Sequence, residues 1–314
     1  MTETRALPAP VALGGAVAIG VMTAIQARVN GVLGVRLDDG IVAGLVSFSV
    51  GLLALVIVIS ALPSGRRGVG RLWRGVRGRT IPVWMLLGGA CGALTVSTQG
   101  LTAGVLGVSL FTVGVVAGQT LHGLVLDRIG FGPAGVVAVT PGRVLGGLLA
   151  LAAVGISLSG DVLATAPLWM LALPFLAGVG IAWQAATNGR LAQRVGSPII
   201  ATFMSFIAGT VVLLFAAGIS IALRGAPEAL PAEPWLYLGG FLGFAYILLG
   251  AFIVSQTGVL LMGLGSVLGQ LATSVLIDLI WPAAAGPATW QIVGMVVVAV
   301  ASVSVALPRR RRRA

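Results

Sequence analysis

Side-chain amides at fixed spacing in an apolar chain are the groups here best placed to do chemistry. Gln26 and Asn30 stand four residues apart, as do Gln184 and Asn188, so on a helix each pair aims its amides from one face. A carboxamide offers two donors and an oxygen with two lone pairs, which suits a neutral or zwitterionic polar solute. The same groups could instead join helices or cap helix ends, because an unpartnered amide in hydrocarbon is costly. Gln119 and Gln270, each after a glycine, form a further pair of the same kind. His122, one turn beyond Gln119, is the only histidine; it could titrate near neutral pH and carry a proton. Asp127 and Asp278 end apolar runs, where they either pair with a neighbour, as Asp127 with Arg128, or take part in ion coupling. Trp183 directly precedes Gln184 and either walls a cavity with Tyr246 or packs.

Other chemistries find no support. The chain has no His or carboxylate cluster at ligand spacing, no Gly-x-Ser-x-Gly and no phosphate-cradling glycine loop, so no metal, no cofactor and no catalytic residue is expected. Ser47 and Ser205 read as packing hydroxyls. The single cysteine, Cys91, leaves no disulfide framework.

These residues recur. Gln26, Asn30, Gly31, Ser47, Phe48 and Gly51 reappear 158 positions later as Gln184, Asn188, Gly189, Ser205, Phe206 and Gly209. A second block, running from Trp84 through Gly88, Gly92, Gly107, Gly114 and Gly118 to Gln119 and Asp127, reappears with an offset of 151. Its copies are Trp235, Gly239, Gly243, Gly258, Gly265, Gly269, Gln270 and Asp278. His122 is matched by Thr273, which argues against a role needed in both copies. Two copies in an apolar chain point to a membrane transporter built from structural repeats.

Composition sets the medium. Apolar residues make up 58% of the chain and charged ones 9%, with a mean hydropathy of +1.08, beyond what a water-soluble surface accommodates. Pro82 to Leu126 carries no charge, and a helix of that length far exceeds a hydrocarbon core of about 30 Å, so it must cross twice. The same test predicts spans at 11–33, 41–62, 82–104, 107–126, 137–158, 167–188, 198–222, 235–254, 257–280 and 287–307, the first of them retained and not a cleaved signal. The expected fold is therefore an all-α integral membrane protein with ten transmembrane helices, as repeats 1–160 and 161–314. Five spans per repeat invert the second copy relative to the first, which places a solute site near the midplane and permits alternating access. The small-xxx-small pairs Gly88/Gly92, Gly239/Gly243, Gly114/Gly118 and Gly265/Gly269 predict close helix packing.

All 19 basic residues are arginines. Arg66, Arg67, Arg71, Arg74, Arg77 and Arg79 fall in a linker-like segment, 63–80, and Arg309 to Arg313 close the chain. Placing both termini in the cytoplasm puts 16 arginines inside and leaves only Arg28, Arg36 and Arg224 outside. The clusters lack interleaved aromatics and adjoin spans, so anionic lipid headgroups, and no nucleic acid, are the expected partners. Arg143 reads as snorkelling to the interface, and Trp84, Trp169, Trp235, Trp281 and Trp290 as interfacial anchors.

The string Gln26-Ala-Arg-Val-Asn30-Gly31 with Ser47, Phe48 and Gly51 resembles the signature of the YdcZ-type family, formerly a domain of unknown function, in the drug/metabolite transporter superfamily. The second half resembles it through Gln184, Asn188, Pro198, Ser205, Phe206 and Gly209, then Gly269, Gln270 and Asp278. One departure is Gly40 at the place matching Pro198. Another is that the small multidrug exporters of that superfamily carry a glutamate in their first helix, which is missing here. The resemblance implies an exporter of the bacterial inner membrane, with two fused five-helix copies. The expected activity is secondary transport of a small polar metabolite or drug-like solute. Gln26, Asn30, Gln184, Asn188, Gln119, Gln270 and Trp183 would contact it, and His122, Asp127 and Asp278 are candidates for coupling. A non-transporting membrane scaffold or accessory subunit is the alternative.

Overall fold

The computed structural model describes residues 9–138, 140–142, 144–145, 148–149, 152, 168–227, 229–257 and 259–281. Among these the fold is helical, without strands. Of the predicted spans, the fifth lies mostly, and the tenth wholly, outside the described residues, as do Arg143, Trp290 and Arg309 to Arg313.

Helix α1 (Ala9–Leu37) turns at Asp38 and Asp39 into α2 (Gly40–Ala61). Asp39 caps α2, its carboxylate accepting the N–H groups of Ile41 at 2.8 Å and Val42 at 3.0 Å. The segment 63–80, expected as a linker, is instead largely a helix, α3 (Pro63–Arg77). Proline at its first position suits a helix start. Gly65, Gly68 and Leu72 line its buried face, with Gly68 against Ile200, and the arginines take the other side.

The third predicted span is broken into a 3-10 turn (Val83–Leu86), α4 (Gly88–Thr98), a π-helical turn (Gln99–Ala103) and a single turn, α5 (Gly104–Leu106). Close backbone packing accompanies the π turn. A Cβ on Gly34 would overlap the carbonyl of Gly100, and one on Gly31 would stand 2.8 Å from the Gly104 nitrogen. Gly40 belongs to the same contact, since a Cβ on Gly100 would lie 2.5 Å from its carbonyl oxygen. That accounts for glycine where the matching helix start has Pro198. Gly107, at φ +82°, then turns the chain into α6 (Val108–Arg128).

The second half supplies α7 (Leu168–Val195), α8 (Pro198–Arg224), a 3-10 turn (Pro234–Tyr237), α9 (Leu238–Thr257) and α10 (Val259–Ile280). Among the described residues, five stretches are long and apolar enough to cross a membrane: Pro10–Leu37, Gly40–Ala61, Val108–Arg128, Pro198–Arg224 and Pro234–Val254.

Residues matched by the sequence offsets meet each other's partners. Gly88 and Gly92 face Asn188 and Gln184, while Gly239 and Gly243 face Asn30 and Gln26. Gly118 packs on the backbone of Phe175 and Val179, and Gly269 on that of Val17 and Val21. At the centre Phe48 and Phe206 stack with ring centroids 4.7 Å apart.

Candidate solute cavity

Four of the six singled-out amides converge. Gln119 of α6, Gln184 and Asn188 of α7 and Gln270 of α10 line one cavity with Thr23 of α1 and Ser266 of α10. Its remaining wall is mostly apolar, from Ile19, Tyr246, Ile247, Met262 and neighbours, and among the described residues no charged side chain lines it. The volume open to the centre of a water molecule is about 30 Å³. That is room for small guests and short of a typical metabolite.

The amides are held in place. Gln184 Nε2 donates to Ser205 Oγ at 2.9 Å and Asn188 Nδ2 to the same oxygen at 3.3 Å. Gln270 Nε2 donates to Ser266 Oγ at 2.7 Å and, at 3.5 Å, reaches Gln119 Oε1. Such anchoring fixes the direction of each polar group while its other lone pairs or protons stay available.

Gln26 and Asn30 stand elsewhere. Gln26 Nε2 donates to the Gly239 carbonyl at 2.9 Å, and Asn30 Nδ2 donates to Gln99 Oε1 at 2.7 Å. Both are fully enclosed between α1, the π turn and α9. Trp183 is also outside the cavity lining; it stacks on Phe131 at 4.5 Å, beside Trp84 at 6.4 Å. His122 is half-buried on α6 and does not line the cavity. Asp127 and Asp278 cap helices. Asp127 Oδ1 accepts the N–H of Val259, and the Asp278 carboxylate accepts those of Val108 and Ser109.

Sequence reasoning passed over three groups. Gln99 is the partner of both Gln26 and Asn30, and the signal was available: the offset of 151 matches it with Gly250 instead of with another amide. Arg28 donates to the Trp281 carbonyl at 3.0 Å, with its guanidinium carbon 4.6 Å from that ring centroid. Arg190 donates to the Gly130 carbonyl at 2.7 Å and lies 5.1 Å from the Phe131 ring. Gly130 and Trp281 are themselves 151 apart.

The family model described as "Putative inner membrane exporter, YdcZ" matches residues 11–156 and 169–304. The chain belongs to the YdcZ family. With its apolar helices, this makes it a multi-pass membrane protein with a transporter-type role. A solved structure described only as "Crystal structure of protein" is similar at a TM-score of 0.57 and 18% identity, over 95% of this chain and 98% of that one. At that identity the likeness is one of fold. No curated protein matches the chain. In this YdcZ-family protein the amides and hydroxyls of Gln119, Gln184, Asn188, Gln270, Thr23 and Ser266 meet at one cavity.

Proposed function

We propose that this protein is a secondary transporter that exports a small, uncharged or zwitterionic polar solute by alternating access. The observation that carries the reading is the meeting of Gln119, Gln184, Asn188 and Gln270 in one cavity that, among the described residues, has no charged side chain in its lining. The cavity is small, so a metabolite enters only when the surrounding helices part, as alternating access requires.

The reading includes ten spans in two inverted repeats, 1–160 and 161–314, with both termini cytoplasmic. In its support, α6 and α10 cap each other's first turns through matched aspartates, which antiparallel copies would do. Arginines group at the two ends as the topology expects: Arg36 and Arg224 share one cleft, Arg71, Arg74 and Arg194 another. Gln26 and Asn30 act in this reading as joints between helices.

Thermal unfolding of the purified protein against amino acids, sugars, polyamines and cationic drugs, followed by flux in proteoliposomes, tests it. A ligand of the folded state at a hundred times its Kd adds about 2.7 kcal/mol. One solute class is expected to raise the midpoint of the wild type but not of Gln184→Leu, and to be carried across the bilayer. If no solute shifts the wild type and none is carried, the amides are joints only and the scaffold reading replaces this one.

A further inference from the structure

The offset that matches Gly92 with Gly243 and Gly107 with Gly258 also matches Gln99 with Gly250, with no insertion between. Here the two copies carry different chemistry next to the matching amides. In the first copy the Gln99 carboxamide lies between the Gln26 and Asn30 side chains. Asn30 Nδ2 donates to its oxygen at 2.7 Å, and its own Nε2 donates to Gln26 Oε1 at 3.4 Å.

In the second copy Gln184 and Asn188 stand in the matching positions, Gly250 contributes no side chain, and the cavity lies beside them. Packing does not demand that glycine. Among the described residues a Cβ on Gly250 would meet only Ile19 Cδ1 and Met262 Sδ, both at 3.9 Å, an ordinary contact distance. The other glycines that face these amides are crowded: a Cβ on Gly92 would lie 2.5 Å from Gln184 Nε2. Gln184 and Asn188 each donate to Ser205 Oγ, and among the described residues neither amide oxygen receives a hydrogen bond.

We propose that the transported solute carries a neutral group that accepts and donates side by side, a carboxamide or its urea or lactam equivalent, held by Asn188 and Gln184 as the Gln99 side chain is held by Asn30 and Gln26. The first copy contains a covalent stand-in for the ligand of the second. A carboxylate would bring acceptors alone to the Gln184 oxygen, with no cationic side chain among the described lining residues to offset its charge. An ammonium group would offer Asn188 no acceptor. This inference rests on the transport reading and adds the class of solute to it.

Gly250→Gln transplants the stand-in into the cavity, and Gly250→Ala is its control. The full-length protein in detergent is heated with acetamide, nicotinamide or N-methylurea, and in parallel with acetate, methyl acetate, nicotinate or ethylammonium. The amides and the urea are expected to raise the midpoint of the wild type and Gly250→Ala. Gly250→Gln should unfold no lower than the wild type and lose that response, because its own amide fills the space. At saturation near a hundred times Kd the wild-type unfolding equilibrium shifts about a hundredfold.

Equal shifts from methyl acetate, acetate or ethylammonium, or none from the carboxamides while another solute class binds and is carried, would overturn the class of solute and leave transport standing. Absence of binding and flux for every class overturns both. Should Gly250→Gln fail to fold, Asn188→Leu replaces it, and persistence of the carboxamide shift in that variant counts equally against the proposal.

Discussion

The carboxylate of Asp127, at the end of α6, accepts the backbone N–H of Val259, the first residue of α10, at 2.9 Å. The bond is made twice with the roles exchanged. Asp278, near the end of α10, accepts the N–H of Val108, the first residue of α6, at 3.2 Å and that of Ser109 at 2.8 Å. A helix N-terminus leaves N–H groups without intrahelical partners and carries partial positive charge, so each carboxylate meets a donor and a favourable field. Two helices that cap each other in this way lie antiparallel and are fixed in register by both ends.

Removing one cap is expected to destabilise the fold. Asp278→Ala should cost about 1 kcal/mol, within the 0.5–2 kcal/mol seen for lost caps, whereas Asp278→Asn keeps an acceptor oxygen and should cost less. Thermal unfolding in detergent measures both. An Asn variant with a wild-type midpoint but no flux would instead assign Asp278 to ion coupling.

Ser47 and Ser205 match across the repeat but should respond in opposite ways to the same change. Ser205 Oγ receives two amide donors, so Ser205→Ala strips partners from Gln184 and Asn188 and is expected to lower stability by about 1–3 kcal/mol. Among the described residues Ser47 Oγ is buried with no partner, so Ser47→Ala should be neutral or slightly stabilising. Equal losses from both substitutions would refute the asymmetry.

Glycine substitutions separate contact from mere composition. A Cβ on Gly89 would overlap the Ser205 carbonyl, and one on Gly240 the Ser47 carbonyl, so Gly89→Ala and Gly240→Ala should abolish the yield of folded protein. Gly218, in α8, has nothing within 4 Å of a built Cβ. Gly218→Ala is expected to stabilise by up to about 1 kcal/mol through helix propensity. Size-exclusion yield and unfolding midpoints check all three.

The positions of most helices were legible because an uncharged apolar run long enough to cross a bilayer has few alternatives to a helix. Helix starts were legible to within a few residues, as at Gly40, Pro198 and Val108. Segment 63–80 was not: glycine and arginine read as a linker, yet Gly65, Gly68 and Leu72 recur at helical spacing on the side packed toward Ile59 and Ile200. The amide pairs were legible as a set, because polar groups in hydrocarbon must be accounted for. Which pair borders the cavity was not, since that turns on a long-range contact between α1 and the π turn, through one unmatched residue, Gln99. Trp183 sits beside Gln184 in sequence, but neighbouring residues on a helix point about 100° apart, which carries its ring to Phe131 and away from the cavity.

The basic cleft beside α3 should bind anionic phospholipid. Arg71 Nε donates to the Val195 carbonyl at 2.7 Å and Arg194 to the Thr80 carbonyl. With Arg74 they line an open cleft of about 450 Å³ that holds no carboxylate among the described residues. Each guanidinium is tethered through one N–H to a backbone carbonyl, Arg74 to that of Gly70 at 3.3 Å, leaving further donors for phosphate oxygens. Trp73, on the same helix, is 66% exposed, as an interfacial anchor would be. Each arginine near an anionic surface contributes about 1 kcal/mol, and the attraction is screened within about 10 Å at 0.1 M salt. Phosphatidylglycerol is therefore expected to raise the unfolding midpoint above that in phosphatidylcholine, by an amount that shrinks with added salt. The combined Arg71→Gln, Arg74→Gln and Arg194→Gln variant should lose most of that difference while keeping its midpoint in phosphatidylcholine. A full, salt-sensitive lipid response in this variant would move the binding to other arginines and leave the cleft without a ligand.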